Sequence, residues 1–213
     1  MSLNNAFLRL LAAAALGCAT LFASAAQSQT SGSGAYATLD PAQPSDTPGK
    51  IEVLEFFAYT CPHCKIIEPM VEKWVGTLPG NTVFRPVPVA FNASMADLQK
   101  LYYSLEILDR TDLHPEVFKA IHDEKKRIYN EAAIVDWVAD KGVDRKQFED
   151  VFNSFGVKTK VMRADELAKN YGIDGTPALA VGGRYVTSPS MTGSYEGTIV
   201  QAQKLLEMVD KQQ

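Results

Sequence analysis

Apolar and polar positions alternate along this chain in three successive registers. Ile51-Glu52-Val53-Leu54-Glu55-Phe56-Phe57 is a short apolar run that predicts a buried strand. Ile67, Met70, Val71, Trp74, Val75 and Leu78 then recur on one face at helical spacing, ending at Pro79-Gly80. Asn81 to Val89 alternates in part and predicts a second strand, parallel to the first. Pro86 and Pro88 cannot donate to a ladder, which assigns that strand to an edge. Pro69 lies inside the predicted helix and is expected to kink it. Strand, helix, parallel strand is the right-handed crossover unit of α/β folds.

From Ser94 to Tyr171 the period stays helical. Leu98, Leu101, Tyr102, Leu105 and Leu108 form one stripe, and Val117, Phe118 and Ile121 a shorter one. Asn130 is a candidate cap for a helix carrying Ile134, Val135 and Val138. Asp144 with Gln147 has the form of a capping box, leading Phe148, Val151, Phe152 and Phe155 to a stop at Gly156. A last helix carries Val161, Ala164, Leu167, Ala168 and Tyr171. These stripes are core positions, and His114 and His122 read as surface or cap residues. Beyond Gly175-Thr176-Pro177, Ala178–Val181 and Arg184–Val186 flank a Gly-Gly turn as a hairpin, and Gly193 to Val209 forms a final helix. The expected class is α/β, divided into 50–93 plus 172–213 around an inserted all-helical segment, 94–171.

The two ends of the N-terminal region differ in composition. Arg9 followed by the apolar stretch Leu10 to Phe22, too short to span a bilayer, and then Ala23-Ser24-Ala25, has the form of a signal peptide over 1–25. A lipoprotein reading would modify Cys18, but its preceding Leu16 stands one place away from a lipobox leucine. Residues 26–49, rich in Ser, Gly, Pro and Thr, read as a flexible start and loop with a short edge strand near Tyr36 to Leu39. The chain of 213 residues carries a net charge of −4. Loss of Arg9 with the signal would make it about −5, a balance that gives no reason to expect a nucleic-acid partner.

The candidate chemistry sits where the first strand hands over to the first helix, at Cys61-Pro62-His63-Cys64. Pro62 suits the first helical turn, where its missing N–H costs nothing. Cys61 then faces unpaired backbone N–H groups and the positive end of the helix dipole, which favour a thiolate. Cys64 lies one turn in and can close a small disulfide ring. Zinc is a poor alternative: four ligands are usual, and no second cysteine pair exists. A purely structural bond would constrain little chain. An exported protein whose only mature cysteines form one C-x-x-C is expected to handle the disulfides of other proteins.

Glu55-Phe56-Phe57-Ala58-Tyr59-Thr60-Cys61-Pro62-His63-Cys64 resembles the active-site segment of the DsbA family, and the helical insertion of roughly 75 residues matches that family in place and size. The resemblance covers nearly the whole mature chain. It implies a thioredoxin fold and a periplasmic protein-disulfide oxidoreductase with Cys61, Cys64, His63 and Pro62 at the catalytic motif. It also implies a cis peptide at Thr176-Pro177 beside the cysteines, with Thr176 offering its backbone to incoming peptide. Glu55 matches a buried glutamate thought to tune the thiol, although Pro86 stands where that family usually places a lysine partner. No cofactor or metal beyond the redox-active pair is implied. Expected partners are folding exported proteins with free cysteines and a DsbB-like, quinone-linked membrane reoxidant, the protein itself being a monomer. Alternatives are an isomerase or reductase of the same fold, or a peptide-binding chaperone with a structural disulfide. DsbC-type isomerases carry an N-terminal dimerisation domain, for which the loop before the first strand leaves no room.

Overall fold

A computed structural model describes residues 29–32 and 34–212; the signal segment expected over 1–25, with Cys18, lies outside the described residues. Six strands form one mixed sheet in the order β1-β2-β6-β5-β3-β4. They are β1 (Gln29–Gly32), β2 (Ala37–Asp40), β3 (Ile51–Phe57), β4 (Thr82–Pro88), β5 (Ala178–Val181) and β6 (Tyr185–Thr187). Only β3 and β4 run parallel, joined by α1 (Pro62–Val75). Five helices fill the chain between β4 and β5: α2 (Ala96–Ile107), α3 (His114–His122), α4 (Glu131–Asp140), α5 (Arg145–Phe152) and α6 (Phe155–Asn170). After β6 come the short α7 (Pro189–Thr192) and α8 (Tyr195–Asp210).

All seven residues of β3 are buried because helices cover both faces of the sheet there. Ile51 and Val53 pack with Leu179 and Val181 against Trp74 of α1 and Ala202, Leu205 and Leu206 of α8. Leu54, Phe56 and Phe57 belong to a larger core that runs without a break into the inserted helices, reaching Val138, Phe148 and Phe152. Strand β4 lies at the sheet edge, with Pro86 opposite Glu55 and Pro88 opposite Phe57. The β5–β6 hairpin turns on Gly182 and Gly183, both at positive φ, the geometry of the tight hairpin turns that follow strand twist. A Cβ at Gly183 would stand 2.2 Å from the Gln43 carbonyl oxygen, so only glycine fits.

The helix caps anticipated at Asn130 and Asp144 are present, their side chains accepting from the N–H groups of Ala133 and Gln147. Three expectations need correction. The strand expected as an edge near Tyr36 to Leu39 is β2, an interior strand, because β1 pairs along its outer side within the segment expected to be flexible. A polar, glycine-containing strand carries no apolar alternation to announce it. Phe155 does not join the stripe of Phe148 and Phe152. Ser154 caps a new helix there, so Phe155 opens α6 at 83% exposure and Gly156 continues it rather than ending a helix. His114 is not a surface residue: it is the first residue of α3 and only 7% exposed, enclosed by the rings of Phe57, Tyr59, Tyr102 and Phe118. His122, the last residue of α3, is part-buried and hydrogen-bonded to the Tyr59 carbonyl.

Candidate redox site

Strand β3 leaves the sheet at Phe57, and Ala58-Tyr59-Thr60-Cys61 forms a turn closed by the Cys61 N–H on the Ala58 carbonyl, 2.9 Å. Cys61 is thereby the N-cap of α1, in extended backbone, and Pro62 occupies the first helical turn. Both cysteines are free thiols. Cys61 is half-buried, while Cys64 is completely shut off from solvent.

This asymmetry decides the acidity of the pair. The Cys64 thiol donates to the Cys61 sulfur, and this, with the Thr176 side chain and the backbone N–H groups of Cys64 and His63, outweighs burial and brings the Cys61 pKa down to about 5. Burial drives Cys64 the opposite way, far above the ordinary thiol range, and its role as donor to Cys61 adds to the rise. One sulfur is an accessible thiolate at neutral pH and the other an inaccessible thiol.

Two segments distant in sequence complete the site. The Thr176–Pro177 peptide is cis. The Cys61 thiol lies 3.3 Å from the Thr176 carbonyl oxygen and donates to it when protonated. His63 is exposed, and its Nδ1 is 2.6 Å from the Tyr195 hydroxyl at the start of α8. Between them runs a groove of about 610 Å³ lined by His63, Thr176, Pro177, Met191 and Tyr195 among others.

Glu55 on β3 is 1% exposed, and neither carboxyl oxygen has a hydrogen-bond partner among the described residues. Its in-register neighbour on β4 is Pro86, so no cation faces it from that strand. Burial lifts its pKa well above the usual carboxylate range, and the nearby Glu68 of α1 lifts it further, so it is held neutral. The structure brings Cys61, Cys64, His63, Pro62, Thr176 and Pro177 to one place, while Glu55 is buried on the strand that leads into the motif. The sequence reading missed Tyr195, which nothing in a helical start distinguishes from a surface residue. It also missed Tyr59, Glu68, His114 and His122 as supports of the site; His114 was misplaced at the surface because a histidine beside an apolar stripe has no periodic signature of its own.

Known proteins resemble this chain in sequence and fold. The family profile described as "DSBA-like thioredoxin domain" matches residues 82–196, and that described as "Thioredoxin" matches residues 45–103. The thiol:disulfide interchange protein DsbA of Bordetella pertussis is 56% identical over 204 residues, covering 95% of this chain and 97% of its own. The protein of the same name from Pseudomonas aeruginosa is 36% identical over 200 residues, 93% of this chain and 95% of its own. A crystal structure of Pseudomonas aeruginosa DsbA superposes with a TM-score of 0.80 at 34% identity, covering 83% of this chain and 92% of that one.

Proposed function

The chain belongs to the family of DSBA-like thioredoxin domains, and from that premise we propose that Cys61 and Cys64 are the reacting pair of a protein-disulfide oxidase. It is a thiol:disulfide oxidoreductase with a thioredoxin fold. We read 50–93 and 172–213 as the thioredoxin-like part and 94–171 as an inserted helical domain.

In the oxidised form, a substrate thiolate attacks the Cys61 sulfur. The Cys61–Cys64 bond breaks, Cys64 takes up a proton, and a mixed disulfide joins Cys61 to the substrate. A second substrate thiolate then attacks the substrate's own sulfur, and Cys61 leaves as a thiolate. The substrate loses two electrons and the pair gains them. Burial of Cys64 directs attack to Cys61, and a thiol with a pKa of about 5 is a good leaving group. That acidity at the start of α1 is the observation that carries the oxidase reading: the more the released thiolate is stabilised, the more strongly the disulfide oxidises.

Thr176 and Pro177, with Tyr195, line the groove in which an extended substrate segment would lie. Folding exported proteins with free cysteines are the substrates, and a DsbB-like quinone-linked membrane protein is the reoxidant. The compartment is the periplasm, reached through removal of residues 1–25, and the working form is a monomer. Among the described residues no helix is long and apolar enough to cross a membrane.

Titration of the pair against glutathione tests this. An oxidase holds the dithiol form across much of the glutathione range, whereas a reductase holds the disulfide. Cys61→Ala should abolish both insulin reduction and oxidative refolding; activity surviving that change would favour a peptide-binding chaperone with a structural disulfide.

A further inference from the structure

The Cys61–Cys64 motif is supported from outside its own strand and helix. Helix α3, from the inserted helical segment, has an attachment at each end on either side of the motif. At its N-terminal end, His114 places Nδ1 2.7 Å from the Tyr59 hydroxyl. Its Nε2 lies 3.3 Å from Glu68 Oε1 on α1, within ion-pair reach though not aligned as a hydrogen bond. At its C-terminal end, His122 Nε2 donates to the Tyr59 carbonyl oxygen at 2.8 Å, and Asp123, the next residue, pairs with Lys65 of α1. Tyr59 is thus held at both its hydroxyl and its carbonyl, and α1 is held just after Cys64 and one turn further on.

Tyr59 is not an incidental target. It is a central residue of the turn whose closing N–H belongs to Cys61. Its ring is buried against Phe57, Phe118 and His114, so the turn has little freedom to adjust if those contacts persist. The donors that lower the Cys61 pKa, namely the Cys64 thiol, the Thr176 side chain and the N–H groups of His63 and Cys64, act only if the sulfur stays where the turn places it. Hydrogen bonds lose most of their strength with small errors of distance and angle.

We propose that α3 is a splint for the redox motif, and that His114 and His122 are positioning residues which set the oxidising power of the Cys61–Cys64 pair by fixing Tyr59. The inference rests on Cys61 being the exchanging sulfur. The helical insertion then has a share in the chemistry of the site.

The test uses the purified protein with His122→Ala, His122→Gln, Tyr59→Phe and His114→Phe, the last two removing one hydrogen-bonding group while keeping a ring in place. Two quantities are read: the equilibrium constant with glutathione, and the Cys61 thiolate titration by absorbance near 240 nm. His122→Ala and Tyr59→Phe should each move the glutathione equilibrium three- to tenfold toward the disulfide and raise the thiolate midpoint. His122→Gln keeps an amide N–H near the Nε2 position and should restore most of the change. Tyr59→Phe and His114→Phe remove the two halves of one contact, so their effects should not add. A purely structural helix would lower the unfolding midpoint and leave both redox quantities unmoved, and that result overturns the inference. His122 lies at a part-buried helix end, so its variants remain informative even where His114→Phe fails to fold. A wild type that does not equilibrate with glutathione overturns the exchange reading beneath the inference. A wild type that does, beside unshifted His122→Ala and Tyr59→Phe, overturns the inference alone.

Discussion

Two glutamates on β3 are buried to nearly the same extent, Glu52 at 3% and Glu55 at 1%, yet they face opposite surroundings. Glu52 accepts from Arg85 Nη1 at 2.9 Å, and Arg85 reaches on to Asp46, which Arg163 of α6 also grips. Burial raises the Glu52 pKa and the Arg85 charge counters it. Glu55 has no such partner, and burial is opposed by nothing. The difference comes from one step along β4. Residues 85 and 86 point to opposite faces of the sheet, so the face of Glu52 receives an arginine and the face of Glu55 a proline. Where the neighbouring strand supplies donors, a buried acid can stay charged and tie elements together. Where it does not, the acid is kept neutral. Cys61 is a third case: a charge with donors from a helix start.

The largest expected effect is on the paired side. Arg85→Leu would strand Glu52 in the sheet and cut the link to Asp46, and should cost about 3–5 kcal/mol in urea unfolding. Adding Glu52→Gln should recover part of that loss; no recovery would mean that the arginine acts through packing alone. The unpaired side should respond in the opposite direction. Glu55→Leu removes a carboxyl without partners and should stabilise the protein by roughly 1–3 kcal/mol at pH 7. The sign follows from its raised pKa. Wild-type stability is fully present below the unfolded value of about 4.3, where both states are protonated, and declines as pH rises toward the folded value, because only the unfolded chain ionises. The advantage of the leucine variant should therefore grow from pH 4 to pH 7. A constant gap would mean that Glu55 is ionised in the folded protein.

Only part of this contrast was legible in the sequence. The apolar run through Phe57 and the helical stripe from Ile67 located the handover, and Pro62 fixed which cysteine caps the helix. The place of Pro86 beside Glu55 came through the family resemblance. The face on which Arg85 meets Glu52 was not legible, because alternation assigns faces only when one side is polar and β3 is covered on both. The histidines of α3 escaped for a related reason: burial of His114 depends on an aromatic enclosure assembled from β3, the turn, α2 and α3. The closeness of Thr176 to Cys61 came through family resemblance, since no local pattern brings together residues so far apart in the chain.

A smaller effect tests the thiolate. Its depressed pKa contributes stability to the dithiol form that is fully present above the unfolded value of about 8.5 and is lost as pH falls through about 5. The disulfide form has no such term. Its constraint on the unfolded chain is independent of pH, and the Glu55 contribution is common to both forms. The stability difference between dithiol and disulfide proteins should therefore shift toward the dithiol between pH 5 and pH 8. The shift should be about 1–2 kcal/mol once solvent screening of the half-buried sulfur is allowed for. Paired urea unfolding of the two forms measures it, and a flat difference would remove the physical basis of the oxidase reading.

The smallest effect separates two ways in which His63 could serve Cys61. Its imidazole is turned to the Tyr195 hydroxyl, while its backbone N–H faces the Cys61 sulfur. His63→Ala removes the ring and keeps the N–H. His63→Pro removes both, at a position in the first helical turn where proline is tolerated. If the backbone donor matters, His63→Pro should raise the Cys61 midpoint by about one pH unit and His63→Ala by clearly less, since one hydrogen bond to a charged group contributes about 1.5 kcal/mol at the low end. Equal shifts in the two variants would assign the effect to the imidazole. In that case Tyr195→Phe, which frees Nδ1 without touching the helix start, should move the midpoint as well. An unmoved midpoint in His63→Pro would mean that the Cys64 thiol, the Thr176 side chain and the Cys64 N–H hold the thiolate without the His63 donor, and Cys61 would then resemble Glu52, a charge kept mainly by neighbouring side chains.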